Sequence, residues 1–227
     1  MKNNKYSIGV FDSGLGGLTV LHELKKIMPQ EKFIYFGDTA HIPYGNKSKR
    51  TIEKYCLDII KFLETKKIKL IIVACNTASS VALQTIKTHT PIPIIDVISP
   101  CVSYAITRTK NNRIGIIGTE TTINSQEYQR KIQEKNKKIK LFFKACPLFV
   151  PIIEEGEVKQ KFVDEVVKLY LRGLKANKID TLILGCTHYP IIKKEIQKTL
   201  TSKIEIVDSA RPTAQYVNHY LDKKNLR

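Results

Sequence analysis

The sequence has no run approaching the roughly 20 consecutive apolar residues that a membrane-spanning helix needs, which argues against a membrane protein. Cysteine pairs of the CxxC kind are missing too. The five cysteines, an odd number, stand scattered at 56, 75, 101, 146 and 186, which suits a reducing cytoplasm better than a disulfide framework. The opening "MKNNKYSIGVFD" holds one short apolar segment before an aspartate and does not read as a signal peptide. Glycine and proline are scarce, 11 and 9 among 227 residues, and 42% of the chain is apolar, which excludes a disordered chain. This length makes one large domain or two small ones, and either buries a real core.

Acidic residues are in short supply: 21 against 38 basic ones, a formal charge of +17. Basic surfaces attract phosphate, so nucleic acid is the partner to weigh first. Only seven of the 38 are arginine, the residue whose planar fork suits phosphate and base edges. The lysines are spread along the chain, densest in "NKSKR" (46–50), "TKKIKL" (65–70) and "EKNKKIKL" (134–141), within connections and amphipathic helices. This pattern describes a solvated lysine surface with side chains snorkelling from helices, and nucleic-acid binding is not expected from it.

What the chain does have is alternation. "YSIGVF", "KFIYF", "KLIIVA" and "IPIIDV" are β-branched or aromatic runs of strand length. Between them, 18–28 and 49–66 carry helical spacing, the second through Ile52, Tyr55, Cys56, Ile59, Ile60, Phe62 and Leu63. Such alternation predicts βαβ units, an α/β fold with a mainly parallel sheet flanked by helices on both faces.

The second half then repeats the first. "SIGVFDSG" from Ser7 corresponds to "RIGIIGTE" from Arg113 at an offset of 106, and "FIYF" (33–36) to "KLFF" (140–143). Pro43 pairs with Pro151 at 108, Cys75 with Cys186 at 111, and Asp96 and Pro100 with Asp208 and Pro212 at 112. An offset that drifts only upward is what small loop insertions produce. It predicts two similar α/β lobes, a first of 1–98 plus 209–227 and a second of 99–208.

Cys75 in "LIIVACNTAS" and Cys186 in "TLILGCTHYP" therefore hold equivalent places at the carboxyl ends of buried strands. In open α/β sheets ligands bind at that edge, so lobes that face each other bring two thiols to opposite sides of one ligand. Buried free cysteine is ordinarily packing, and Cys56, Cys101 and Cys146 are read that way. Cys75 and Cys186 are each followed by small polar residues and then a helix, whose N-terminus stabilises a thiolate and binds a carboxylate. Zinc ligation by Cys186 and His188 with Asp12 or Cys75 matches none of the usual spacings, so no metal is expected. One-nucleophile chemistry of the Cys–His type leaves the duplicate thiol unexplained.

"FDSGLGGLTV" is neither a P-loop nor a dinucleotide fingerprint, yet a glycine-rich turn before a helix makes an anion cradle, with Ser13 as a donor. Asp12, at the strand end, either orients a reacting group or caps the helix. Ser13, Asn76, Thr77 and Thr187 suit a small anionic ligand. Two thiols on opposite faces of a carbon suggest proton removal from one face and delivery to the other, which inverts a stereocentre. A thiol with an ordinary pKa of about 8.5 can be poised near neutrality by its surroundings, where general acid–base catalysis works best.

The pieces "GVFDSGLGGLTV" (9–20), "YFGDTAHIPYG" (35–45), "VACNTAS" (73–79), "PLFVPIIEEG" (147–156) and "LGCTHYP" (184–190) together resemble the bacterial glutamate racemases of the cofactor-independent aspartate/glutamate racemase superfamily. The resemblance implies two pseudosymmetric α/β lobes with the active site between them. It also implies interconversion of L- and D-glutamate for peptidoglycan synthesis, no cofactor, a homodimer and a cytoplasmic enzyme. It assigns proton removal from D-glutamate to Cys75, assisted by Asp12, and from L-glutamate to Cys186, assisted by His188, with Glu154 a further carboxylate near the second cysteine. Asp12, Ser13, Tyr44, Gly45, Asn76, Thr77, Thr187 and His188 would bind substrate, and Thr119 and Thr122 match two more family contacts. Two features differ from the family: Thr121 stands where glycine is usual, and the segment after Asp208, which in the family returns to the first lobe, is short. An aspartate racemase is the nearest alternative, although its second motif usually lacks the His-Tyr-Pro found here. An arylmalonate-type decarboxylase keeps only one of the two cysteines, and a basic nucleic-acid-binding protein on the same scaffold would not need both.

Overall fold

The computed structural model of the chain describes residues 6–156, 158, 161–200 and 202–227. Strands β1 (Ser7–Asp12), β2 (Phe33–Gly37), β3 (Ile68–Val73) and β4 (Ile94–Asp96) form one parallel sheet in the order β2-β1-β3-β4. Strands β5 (Arg113–Gly118), β6 (Lys140–Ala145), β7 (Thr181–Gly185) and β8 (Glu205–Asp208) form a second in the order β6-β5-β7-β8. The two orders are the same, so the internal repeat is a repeat of topology. Phe11 sits in register between Phe36 and Val73, and Ile117 between Lys144 and Leu184.

Strands covered on both faces read as continuous apolar runs, and β3, "IKLIIV", is buried throughout. Its one charge, Lys69, is matched by Glu31 at 2.7 Å, the pairing a buried ammonium requires. On one face of the first sheet lie helices Leu18–Ile27 and Ala210–Lys223, packed through Val20, Leu24, Ala214, Val217 and Leu221. Helix Lys49–Glu64 covers the other face through Ile52, Cys56, Ile59, Ile60 and Leu63. It starts at Ser48, whose Oγ accepts the Thr51 N–H at 3.2 Å, a regular N-cap. Phe62, one of the residues that carry the helical spacing, is 42% exposed, its ring 5.2 Å from that of Phe36 and beneath the Lys66 ammonium. Helices Lys161–Ala176 and Lys193–Thr199 cover one face of the second sheet, and Ile98–Arg108 and Glu127–Lys135 the other. Among the described residues no helix is long and apolar enough to cross a membrane.

Candidate active site

The carboxyl ends of β1, β3, β5 and β7 converge on a cavity of about 120 Å³ walled by both lobes. Since a void of about 150 Å³ holds a benzene-sized molecule, this one takes a single small ligand. Cys75 and Cys186 both line it, together with Ser13, Tyr44, Gly45, Asn76, Thr77, Thr119, Thr187 and His188.

Cys75 follows β3 as the cap of helix Asn76–Val81, its Sγ accepting the Ala78 N–H at 3.4 Å. It lies 3.6 Å from Ser13 Oγ, to which it can donate. Burial pushes the thiol up to about 11, and the neighbouring Asp12 carboxylate pushes the same way, outweighing the pull of the Ala78 and Ser13 donors. Asp12 is fully buried and outside the cavity wall. Its Oδ2 accepts the N–H groups of Gly14 (3.1 Å) and Gly17 (3.0 Å), and its Oδ1 accepts the Thr187 hydroxyl at 3.2 Å from the other lobe. Burial raises its carboxyl above the usual range, against the pull of nearby His188, the two N–H groups and the Thr187 hydroxyl.

Cys186 directly follows β7. The chain then enters a 3-10 turn, Tyr189–Ile192, before helix Lys193–Thr199, so the α-helix expected after Thr187 and His188 starts one turn late. Pro190 lies in the first turn and has no N–H to offer; the His188 and Tyr189 N–H groups take over the role and face the sulfur. Burial still drives this thiol well above its ordinary value. These surroundings therefore do not poise either thiol near neutrality, because desolvation outweighs the local donors. His188 Nδ1 is 3.8 Å from Cys186 Sγ, and Nε2 is hydrogen-bonded to Glu154. A carboxylate only accepts, so Nε2 donates to Glu154, and in the neutral ring that tautomer leaves Nδ1 as the acceptor facing the thiol.

The lobes meet closely here. A Cβ on Gly16 would lie 2.6 Å from both His188 Nδ1 and Thr187 Oγ1, and one on Gly45 would lie 2.6 Å from Thr119 Cβ, so both positions need the bare backbone. Thr77 Oγ1 is 3.0 Å from Thr119 Oγ1 and 3.2 Å from Thr122 Oγ1, a hydroxyl cluster in which Thr122 stands outside the cavity wall. Thr121 donates to Gly45 O at 2.9 Å and thereby ties the Tyr44–Asn46 turn to the second lobe. The Tyr44 hydroxyl donates to Asp38 Oδ2 at 2.6 Å and is occupied there. Glu154 likewise stands outside the wall, reaching the site through His188.

Sequence reasoning missed Cys146, Glu120 and Asn46, which also line the cavity. Cys146 follows β6 as Asp38 follows β2, so extending the repeat to the next residue pair would have placed it at the ligand edge. Among the described residues, no group of three or more His, Cys, Asp or Glu side chains is arranged to hold a metal ion.

A profile of the Asp/Glu/hydantoin racemases matches residues 16–217. The chain belongs to this family. A glutamate racemase of Geobacter metallireducens is 47% identical over 215 residues, covering 95% of this chain and 80% of that one. In structure, a glutamate racemase isoform of Bacillus anthracis superposes with a TM-score of 0.95 at 37% identity, over 98% of this chain and 84% of that one. The Francisella tularensis glutamate racemase in complex with D-glutamate gives 0.92 at 42% identity, over 98% and 83%. Among racemases of this family, then, the chain has the fold to a close match, and it is an amino-acid racemase.

Proposed function

We propose that this chain is a glutamate racemase that interconverts L- and D-glutamate by passing the α-proton between two thiols, without a cofactor. The observation that carries the reading is that Cys75 and Cys186, ending equivalent strands of two lobes, line one small cavity. The Cys75 thiolate takes the α-proton of D-glutamate while the Cys186 thiol delivers its own to the opposite face, and L-glutamate uses the same pair in reverse. Ser13, Asn76, Thr77, Thr119, Thr187 and the backbone of Tyr44 and Gly45 hold the substrate, with Thr122 bracing the hydroxyl cluster. His188, oriented by Glu154, accepts the proton of Cys186, and Asp12 sets the charge beside Cys75.

Burial alone keeps both thiols protonated at neutral pH. The substrate brings an ammonium, whose positive charge offsets Asp12 and favours the thiolate, so the base forms as the ligand arrives. Negative charge then grows on the carboxylate side of the carbanion, where preorganised donors are each worth roughly 3–4 kcal/mol. The setting belongs to the same proposal: D-glutamate for peptidoglycan, in the cytoplasm, from a homodimer whose lobes are 1–98 with 209–227 and 99–208, with no membrane or nucleic-acid partner.

Proton NMR in D₂O tests it. Wild type should exchange the α-hydrogen of L- and D-glutamate and invert both. Each single Cys→Ala variant should lose inversion, the remaining thiol washing out only the enantiomer that faces it: L for Cys75→Ala, D for Cys186→Ala. Exchange of aspartate alone would move the substrate and keep the mechanism; no exchange by folded wild type would end the racemase reading.

A further inference from the structure

Asn76 is 2% exposed and lines the cavity, yet its amide nitrogen Nδ2 has no hydrogen-bond partner. A buried N–H left unpaired bears the full desolvation of the group, so a persistent orphan at a cavity wall marks a donor kept for a ligand. The other end of the amide is taken. Tyr128 donates its hydroxyl to Asn76 Oδ1 at 2.7 Å, across the boundary between the lobes. Tyr128 is 1% exposed, on helix Glu127–Lys135, with its ring edge so close to Gly185 that a Cβ there would come within 3.2 Å. Beyond the phenol lies Cys101, in the same buried cluster and with its thiol pushed up by burial. The phenol has one proton, and it is donated to Asn76 Oδ1. That bond leaves both Nδ2 protons free.

We propose that Tyr128 is a positioning residue: its hydroxyl fixes the Asn76 amide so that Nδ2 donates to a carboxylate oxygen of the amino-acid substrate. The inference rests on the racemase reading for its substrate but reads out independently of turnover. Enantiomers have equal enthalpy, so racemisation releases no net heat and calorimetry on glutamate reports binding alone. Without the hydroxyl, the amide can rotate and present its oxygen to the carboxylate. Tyr128→Phe keeps the ring and should weaken the calorimetric Kd for glutamate, and raise KM for both enantiomers, about tenfold, the cost of one charge-assisted hydrogen bond. In an Asn76→Ala background the Phe substitution should have no further effect on Kd, a non-additivity that a packing role would not produce. An unchanged Kd in Tyr128→Phe, or an equal loss in the Asn76→Ala background, overturns the inference. Retained binding with no α-hydrogen exchange in wild type overturns the racemase reading and leaves Tyr128 to be judged by the same cycle, whereas a wild type that binds no glutamate overturns both.

Discussion

The two thiols are supported differently, and that difference can be measured. Cys75 has a hydroxyl and backbone donors around it, while Cys186 has His188 backed by Glu154. Because L- and D-glutamate have equal free energies, no substitution can lower kcat/KM in one direction alone. Glu154→Gln should therefore cut kcat/KM equally both ways, by roughly tenfold to a hundredfold, the range in which a weakened general base operates. The side it acts on appears in the isotope effect. With the Cys186 step slowed, the primary effect on kcat/KM should rise for α-deuterated L-glutamate and fall for the D form; the opposite pattern would assign Glu154 to Cys75. At this scale the sequence was legible where chemistry is duplicated. Cys75 and Cys186 announce themselves as a pair, whereas Tyr128 meets Asn76 across 52 residues with no local signal at all. Cys146 was hidden because its own neighbours are apolar, although it follows β6 at the ligand edge.

Among the elements, the strands of the first lobe and its helices at 18–28 and 49–66 were readable to within a residue or two, because β-branched runs and three- and four-residue steps are local signals. Phe62 carries that spacing but is exposed, because periodicity cannot say where an amphipathic stripe ends, and the turn after Cys186 was misread because Pro190 displaces the helix start. Turn-to-turn contacts between lobes were not readable from either stretch alone. The loop following β1 is the clearest of them: Gly16 presses its backbone on the end of β7, and Thr19 donates to Thr187 O at 3.2 Å. Gly16→Ala puts a methyl 2.6 Å from His188 Nδ1, so the imidazole or the loop must shift. Overpacking of this kind costs about 1–3 kcal/mol, which a domain of ordinary stability survives. A folded variant with its activity reduced at least about tenfold is expected, measured by circular dichroism melts beside racemisation rates. Wild-type rates would show that the loops do not hold His188 in place.

Taken whole, the molecule keeps its thiols inside. All five cysteines are buried, and burial raises each one's pKa, Cys75 to about 11. The duplication that makes the site thus also concentrates neutral thiols in two cores, something composition alone does not reveal, since an exposed cysteine and a buried one count the same. The consequence is a pH dependence of stability with a definite sign. An unfolded chain releases thiol protons near pH 8.5, while the folded chain holds them to a higher pH, so folding is linked to proton retention. The stabilisation is fully present below about pH 8.5 and is lost as pH climbs toward 11, on the order of 3 kcal/mol for Cys75 alone. Buried Tyr44, Tyr128 and Tyr189 and half-buried Tyr35, also shifted upward by desolvation, extend the loss at its alkaline end. Urea unfolding at pH 8, 9.5 and 10.5 should give a steep decline in the wild type and a shallower one in Cys75→Ala, whatever the variant's stability at pH 8. Parallel declines would mean that the Cys75 thiol titrates in the folded protein as it does in the unfolded chain, and that the closed, desolvated cavity opens to water in solution.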